Sequence, residues 1–148
     1  MPAPRFSTGT FTRAPGMVCG RVDIMVSKIS RILIVDDEII LCNALKYHLI
    51  QKGYEVEIST SDKEFQDRIT AGKFDLLLLD LHLNGIDGLD LLRTARDINP
   101  DMKVIMVSSY LDQSNVSKAR ELGAYECVSK NSQMFQVLDQ VIANIEAS

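Results

Sequence analysis

The feature that most constrains the fold is a regular alternation of short apolar runs and amphipathic stretches from residue 31 onward. Short runs rich in Leu, Ile and Val are typical of strands buried on both faces of a parallel sheet. We predict five strands, at Arg31–Val35, Glu55–Ile58, Phe74–Leu79, Lys103–Val107 and Tyr125–Val128. A stretch with helical periodicity follows each of them. The pattern predicts an α/β fold: a doubly wound, five-stranded parallel sheet with helices on both faces.

Helix start and stop signals mark the stretches between the strands. Ser61 followed by Glu64 matches a capping box, in which each side chain bonds a free N–H group at the helix start. Asn99-Pro100 ends the third helix, because the residue before a proline disfavours helical backbone. We therefore predict helices over 38–51, 61–72, 88–98 and 112–122, and a last helix from 134 to about 145.

Charge and composition exclude several classes of partner. The chain has a formal charge of −4, but residues 1–28 hold four basic residues against one acid, so the remainder carries −7. An acidic body argues against direct binding of nucleic acid, which needs a basic face. No apolar run approaches the roughly 20 residues of a membrane span. Three cysteines at unrelated spacings indicate neither a disulfide framework nor a zinc site, so we expect a cytoplasmic protein.

Residues 1–27 differ from the rest of the chain. They hold three of the four prolines and show no periodic apolar pattern. Their Arg, Ser and Thr content loosely resembles a transit peptide, but they lack the apolar core of a secretory signal. We favour a disordered extension or a translation start placed too early, with Met25 as the alternative start. The segment is therefore expected to be dispensable for the folded domain.

Chemically active side chains follow four of the five predicted strands. The first strand is followed by three acids, Asp36, Asp37 and Glu38, and the third by Asp80. The fourth strand is followed by Ser108, and Lys130 lies two residues beyond the fifth. The carboxyl ends of parallel strands meet at one edge of the sheet, so these groups should converge. Converging carboxylates repel unless a cation lies among them, and oxygen ligands with an open side suit Mg²⁺. A carboxylate can also act as a nucleophile and form an acyl phosphate, which a lysine and a hydroxyl could cradle.

Four motifs in this order resemble the receiver domain of bacterial two-component response regulators. They are Ile-Leu-Ile-Val-Asp-Asp-Glu at 32–38, Leu-Leu-Leu-Leu-Asp-Leu-His-Leu-Asn-Gly-Ile-Asp-Gly at 76–88, Val-Ile-Met-Val-Ser-Ser at 104–109, and Gly123-Ala124 with Val-Ser-Lys at 128–130. The resemblance extends from Ser30 to about Ala147 and implies a flavodoxin-like receiver domain at residues 29–148. It implies a signalling switch rather than an enzyme, apart from self-phosphorylation and self-dephosphorylation at Asp80.

The resemblance also implies a role for each residue at the strand ends. Asp80 would accept a phosphoryl group from the phosphohistidine of a histidine kinase or phosphotransfer protein. Ser108 matches the switch hydroxyl of the family, and Lys130 matches the lysine that pairs with the phosphoryl oxygens. The implied ligands of Mg²⁺ are Asp36, Asp37, Asp80 and the backbone carbonyl of His82.

The chain departs from the family pattern at three positions. Asn84 stands where a proline usually lies four residues after the phosphoacceptor, and Asn131 stands where a proline usually follows the lysine. Cys127 replaces the usual aromatic residue on the fifth strand and is too small to act as the same lever. Tyr125 lies two residues earlier, so strand alternation would place it on the same face, where it could partly substitute. We expect activation to perturb the fourth helix more than the fifth strand.

The output of the domain stays open at the level of sequence. The leading interpretation is a stand-alone receiver, or a fragment of a longer regulator, that signals through an unknown downstream protein. Homodimerisation through the fourth and fifth helices is a further option. One alternative is a receiver-like docking module that no longer switches. Another is an aspartate-nucleophile phosphatase similar to haloacid dehalogenases, but those enzymes have a second aspartate where this chain has His82.

Overall fold

The structure is a computed structural model, and it describes residues 29–148. The expectation that residues 1–27 form a dispensable extension lies outside the described residues. Seven strands and five helices are present in this part of the chain. The strands are β1 (Arg31–Val35), β2 (Glu55–Ser59), β3 (Leu76–Asp80), β4 (His82–Leu83), β5 (Ile86–Asp87), β6 (Lys103–Ser108) and β7 (Glu126–Ser129). The helices are α1 (Ile39–Gln51), α2 (Asp62–Ala71), α3 (Gly88–Ile98), α4 (Gln113–Glu121) and α5 (Met134–Ala147).

The main sheet has five parallel strands in the order β2-β1-β3-β6-β7. This arrangement confirms the predicted α/β fold, and each predicted strand and helix lies within two residues of its observed bounds. The strand order reverses between β1 and β3, which is where ligands bind in open sheets of this kind. None of the helices in the described chain is long and apolar enough to cross a membrane.

The central strand β3 shows why the apolar runs form this sheet. All five of its residues are buried, and they alternate between the two faces. Leu77 and Leu79 pack into the core on one face, and Leu76 and Leu78 pack into the core on the other. Helices α2, α3 and α4 cover the first face, while α1 and α5 cover the second. A continuous apolar run is therefore required here, because neither face of β3 meets solvent.

Side-chain caps begin three of the helices that follow strands. Ser61 Oγ accepts the Glu64 N–H at 3.2 Å, and Glu64 Oε1 accepts the Thr60 N–H at 2.7 Å, which is a variant of the predicted capping box. Asp87 caps α3 and Asp112 caps α4 in the same way. These caps satisfy N–H groups that would otherwise lack partners and help to set where each helix leaves the sheet.

A short antiparallel hairpin, which the sequence analysis missed, lies directly after β3. Strands β4 and β5 pair His82 with Asp87 and Leu83 with Ile86. The turn residues Asn84 and Gly85 have φ values of +48° and +79°. Two consecutive residues with positive φ make the tight hairpin turn for which Asn-Gly is a strong signal. Strands of two residues are too short to show an alternation of apolar and polar residues. The Asn84-Gly85 dipeptide is the sequence feature that could have predicted this hairpin.

The structure corrects one prediction about the fifth strand of the main sheet. Tyr125 packs against the core between the sheet and α1 and α5, whereas Cys127 packs against the core on the opposite face. The expectation that both lie on one face was wrong. The physical reason is that β7 begins at Glu126, so Tyr125 precedes the strand and does not share its alternation. Tyr125 therefore does not substitute for the aromatic residue that the family usually has at the position of Cys127.

A close approach of backbone to backbone explains Gly88 at the start of α3. The Gly88 N–H donates to the Leu81 carbonyl at 2.7 Å. A Cβ atom at this position would lie 2.3 Å from the carbonyl oxygen of Asp80 and 2.8 Å from the Cα of Leu81. Only glycine lets α3 begin this close to the end of β3.

We expect Gly88→Ala to lower the free energy of unfolding by about 2 kcal/mol or more, because the added methyl overpacks a rigid backbone. Denaturant unfolding of the variant and the wild type measures this difference. Gly72→Ala is the matched control, since its Cβ would meet its nearest neighbours at an ordinary 3.4 Å. Equal stability of the two variants would contradict the proposed steric role of Gly88.

Candidate functional site

The sheet brings the predicted acidic residues together at the carboxyl ends of β1 and β3. Val35 and Leu79 are paired in register, so Asp36 and Asp80, the next residues, emerge side by side. Carboxylate oxygens of Asp36, Asp37 and Asp80 lie within 4.8 Å of one another. Asp36 and Asp80 are buried, while Asp37 is half-buried. Oxygen ligands on one side and open positions on the other are what Mg²⁺ prefers, so the residues fit this cation.

Lys130 supplies the positive charge within this cluster. Its Nζ lies 2.8 Å from Asp36 Oδ2, 2.6 Å from Glu38 Oε1 and 3.4 Å from Asp80 Oδ2. The Lys130 N–H donates to the Ser108 carbonyl at 2.8 Å, which anchors the loop after β7 to the end of β6. Burial by itself would lower the pKa of Lys130, but its bonds to Asp36 and Glu38 outweigh burial and hold the pKa above its ordinary value. The ammonium is therefore charged at neutral pH.

Asp80 is the carboxylate whose protonation is most perturbed at the site. Burial raises the pKa of Asp80 to about 6, and the charge of Asp36 adds to the rise. The His82 N–H, which donates to Asp80 Oδ1 at 3.2 Å, and the Lys130 ammonium act in the opposite direction. A cation at the cluster would favour the ionised carboxylate further. The site thus combines a buried potential nucleophile with the charges that would keep it ionised.

Asp36 is held by hydrogen bonds on several sides. Its N–H donates to the Ser59 carbonyl at 3.1 Å, and its Oδ1 accepts the Glu38 N–H at 2.9 Å. The Cys42 thiol donates to the Asp36 carbonyl at 3.4 Å. Burial raises the pKa of Cys42 to about 12, so this residue is a protonated core thiol. These bonds fix the orientation of Asp36 toward Lys130.

The structure directs the hydroxyl of Ser108 toward backbone rather than toward the acids. Ser108 is fully buried at the end of β6. Its Oγ donates to the Tyr110 carbonyl at 2.9 Å and accepts the Tyr110 N–H at 3.1 Å. The orientation of Ser108 is therefore coupled to the loop between β6 and α4.

Two contacts at the site were missed at the sequence level. Glu38 was recognised as an acid beside the pair, but its bond to Lys130 was not predicted. The Asn84 N–H donates to Asp37 Oδ2 at 3.1 Å. Proline, the usual family residue at this position, has no N–H and could not make this bond. The absence of proline at position 84 was the signal that could have identified it.

Comparison with known proteins agrees with this geometry. The family model for the response regulator receiver domain matches residues 32–142. The chain belongs to the response regulator receiver family. The match includes every strand-end residue described above, from Asp36 to Lys130.

Similar proteins are found among both curated relatives and solved structures. The regulatory protein VanRB of Enterococcus faecalis is 31% identical over 118 residues, which is 80% of this chain and 53% of VanRB. Sporulation initiation phosphotransferase F of Bacillus subtilis is 28% identical over 111 residues, which is 75% of this chain and 90% of that protein. The receiver chain therefore spans about half the length of VanRB and nine-tenths of the phosphotransferase. The structure of Thermotoga maritima TrrA in complex with Mg²⁺ and beryllofluoride has a TM-score of 0.66 and 30% identity, covering 76% of this chain and 96% of TrrA.

The raised pKa of Asp80 predicts a pH-dependent effect of Asp80→Asn in protein treated with a chelator. Asp80 in the unfolded chain has a pKa near 3.8, and the folded pKa is about 6. Its contribution to stability is therefore complete below about pH 3.8 and is lost as the pH rises through about 6. Asparagine keeps the shape without this ionisation, so we expect a gain of roughly 2 kcal/mol in unfolding free energy at pH 7.5.

The gain should become small near pH 4, and denaturant unfolding at both pH values measures it. Asp97→Asn, which removes an exposed carboxylate on α3, is the control. A gain of equal size at the two pH values would contradict the raised pKa of Asp80.

Proposed function

We propose that this receiver is a phosphorylation-dependent switch in which Asp80 accepts a phosphoryl group from a phosphohistidine. The observation that carries the proposal is the placement of buried Asp80 beside Asp36, with the ammonium of Lys130 3.4 Å from Asp80 Oδ2. A carboxylate oxygen of Asp80 would attack phosphorus, an O–P bond would form, and the N–P bond to the imidazole would break. Relatives named as regulators and as a phosphotransferase support this assignment.

A divalent cation is part of the proposed reaction. Asp36, Asp37 and Asp80 would hold Mg²⁺, with the backbone carbonyl of His82 as a further ligand. When bound, the cation offsets the charge of the carboxylates and allows a phosphoryl group to approach them. The TrrA complex with Mg²⁺ and beryllofluoride supports this choice of metal. Lys130 would bond one phosphoryl oxygen. The Ser108 hydroxyl, which donates to the Tyr110 carbonyl, would turn and donate to a second phosphoryl oxygen.

The phosphodonor protein is proposed to dock on α1. This helix begins directly after the acidic residues, and its exposed apolar side chains lie within reach of a partner that approaches Asp80. They are Ile39, Ile40, Tyr47 and Ile50. Ile40 is 84% exposed, the largest value among the exposed large apolar residues of the described chain, and apolar residues exposed together on one helix favour a protein contact. The partner is a histidine kinase or a phosphotransfer protein, since either carries the phosphohistidine.

The output is proposed to be a change in protein contacts. The share of each relative that is covered fits both a single-domain protein similar to the phosphotransferase and a domain of a longer regulator similar to VanRB. We propose that the receiver signals by contact with a downstream protein of unknown identity. Homodimerisation through α4 and α5 is a second contact that phosphorylation would control. We propose that the protein acts in the cytoplasm, because Cys42 and Cys127 are free thiols, which is usual in a reducing compartment.

Asp80→Asn should abolish labelling by acetyl phosphate, because the amide cannot form an acyl phosphate. Labelling of the wild type should require Mg²⁺, and Asp37→Ala should weaken the affinity for the metal. Intact-protein mass spectrometry at neutral pH measures the label, and Asp97→Asn is the control that removes a distant carboxylate.

Full labelling of the Asp80→Asn protein would rule out this phosphoacceptor. Steady turnover of small phosphate esters by the wild type, rather than one label per chain, would instead favour the phosphatase alternative.

His82 and Tyr110 should lengthen the lifetime of the phosphoryl group. Both side chains are exposed at the rim of the site, two residues beyond Asp80 and Ser108 respectively. Bulky groups at these positions would hinder the in-line approach of water to phosphorus. We expect the double alanine variant to lose its phosphoryl group several times faster, as measured by the decay of the label after removal of the donor. An unchanged decay rate would refute this shielding.

A further inference from the structure

Glu38 holds Lys130 from the solvent side of the site. Glu38 Oε1 lies 2.6 Å from Lys130 Nζ, which is closer than either Asp36 at 2.8 Å or Asp80 at 3.4 Å. The Glu38 side chain is 55% exposed, while those of Asp36 and Asp80 are 7% and 5% exposed. The ammonium therefore has one half-exposed partner and two buried ones.

The donor capacity of Lys130 limits how many partners it can keep. An ammonium has three N–H donors, and in this structure three carboxylates surround it. A phosphoryl group on Asp80 would add oxygen atoms that are strong charged acceptors. Asp80, the longest of the three contacts at 3.4 Å, would lose its own charge on carrying this group and would no longer hold the ammonium through Oδ2. To follow the added oxygen atoms away from its present position, Lys130 must lengthen its contact with Asp36 or with Glu38.

The cost of release differs between these carboxylates. Release of Asp36 would leave a buried charge without its cation, which is strongly unfavourable. Release of Glu38 returns its carboxylate to water, and the loss of a half-exposed ion pair costs little. Glu38 is also the residue directly before α1, where the helix dipole stabilises a negative charge. Glu38 is therefore the partner that exchanges most readily.

We propose that Glu38 is a positioning residue that holds Lys130 in the unphosphorylated receiver and yields it to the phosphoryl group. This inference rests on the proposed function of Asp80 as phosphoacceptor. Because Glu38 competes with the phosphoryl group for the same ammonium, it weakens the binding of that group. It also couples the occupancy of Asp80 to the start of α1, the helix on which the phosphodonor is proposed to dock.

The test is the affinity for beryllofluoride, a mimic of the phosphoryl group, at saturating Mg²⁺, so that changes in metal affinity do not enter. Glu38→Gln keeps the shape of the side chain but removes the charge that competes for Lys130. Glu38→Asp keeps the charge but is one methylene too short to reach Lys130. Glu121→Gln removes one charge from the exposed end of α4 and is the matched control. Thermal unfolding confirms that each variant is folded.

We expect both Glu38 variants to bind beryllofluoride about two- to fivefold more tightly, the factor for one half-exposed ion pair, with Glu121→Gln equal to the wild type. Tighter binding by Glu38→Gln alone would indicate a general charge effect and would overturn the exchange. Unchanged or weaker binding by Glu38→Gln would also overturn it. Asp80→Asn is expected to bind no beryllofluoride. If the wild type also bound none, both the proposed function and this inference would be overturned.

A second measurement follows the exchange itself in the wild type. The ¹³C chemical shift of the Glu38 carboxylate should move toward that of a solvated glutamate when beryllofluoride binds, because its contact with Lys130 is lost. A purely structural role of Glu38 would leave this shift unchanged. An unchanged shift in protein that binds beryllofluoride would overturn the inference and leave the proposed function intact.

Discussion

The site depends on the burial of two carboxylates, Asp36 and Asp80, against one ammonium. Burying a charge is costly unless it is paired, and one Lys130 cannot balance both acids together with Glu38 and Asp37. The cluster is therefore left with excess negative charge, and the charge of Asp36 adds to the effect of burial in raising the pKa of Asp80. A divalent cation removes this excess. The ratio of charges therefore favours a bound cation, and the in-register pairing of β1 with β3 holds the two acids side by side.

The strands and most of the site could be predicted because each has a local signature in the sequence. Buried parallel strands are read as continuous apolar runs, and in an open sheet the functional groups must follow them. Side-chain partners have no such signature. The bond between Glu38 and Lys130 joins residues 92 positions apart, and the contact of Ser108 with Tyr110 depends on one rotation of a hydroxyl. The face of Tyr125 was predicted wrongly because it depends on a strand boundary that shifts by one residue.

The hairpin after β3 gives this receiver a site loop unlike the usual pattern of its family. An Asn-Gly turn replaces the segment that normally contains a proline, and both turn residues adopt positive φ. The turn presents the Asn84 N–H to Asp37, so one oxygen of this carboxylate, which is less buried than those of Asp36 and Asp80, already has a donor. Gly88, immediately beyond the hairpin, lets α3 start against the backbone of Asp80. The segment that follows Asp80 is thus held at both ends by backbone contacts.

Strand β7 lacks the aromatic side chain through which receivers usually respond to a change at the site. Its sequence, Glu-Cys-Val-Ser, contains no aromatic residue, and Tyr125 packs on the opposite face from Cys127. At the end of β6, the hydroxyl of Ser108 is bonded to the backbone of Tyr110, in the loop that leads into α4. Helix α4 is suited to respond, because among its described residues Ala119 is the one that is buried. Its last turn is also tied to β7 by the bond from Arg120 to Glu126, so a shift of α4 must either carry this pair along or break it.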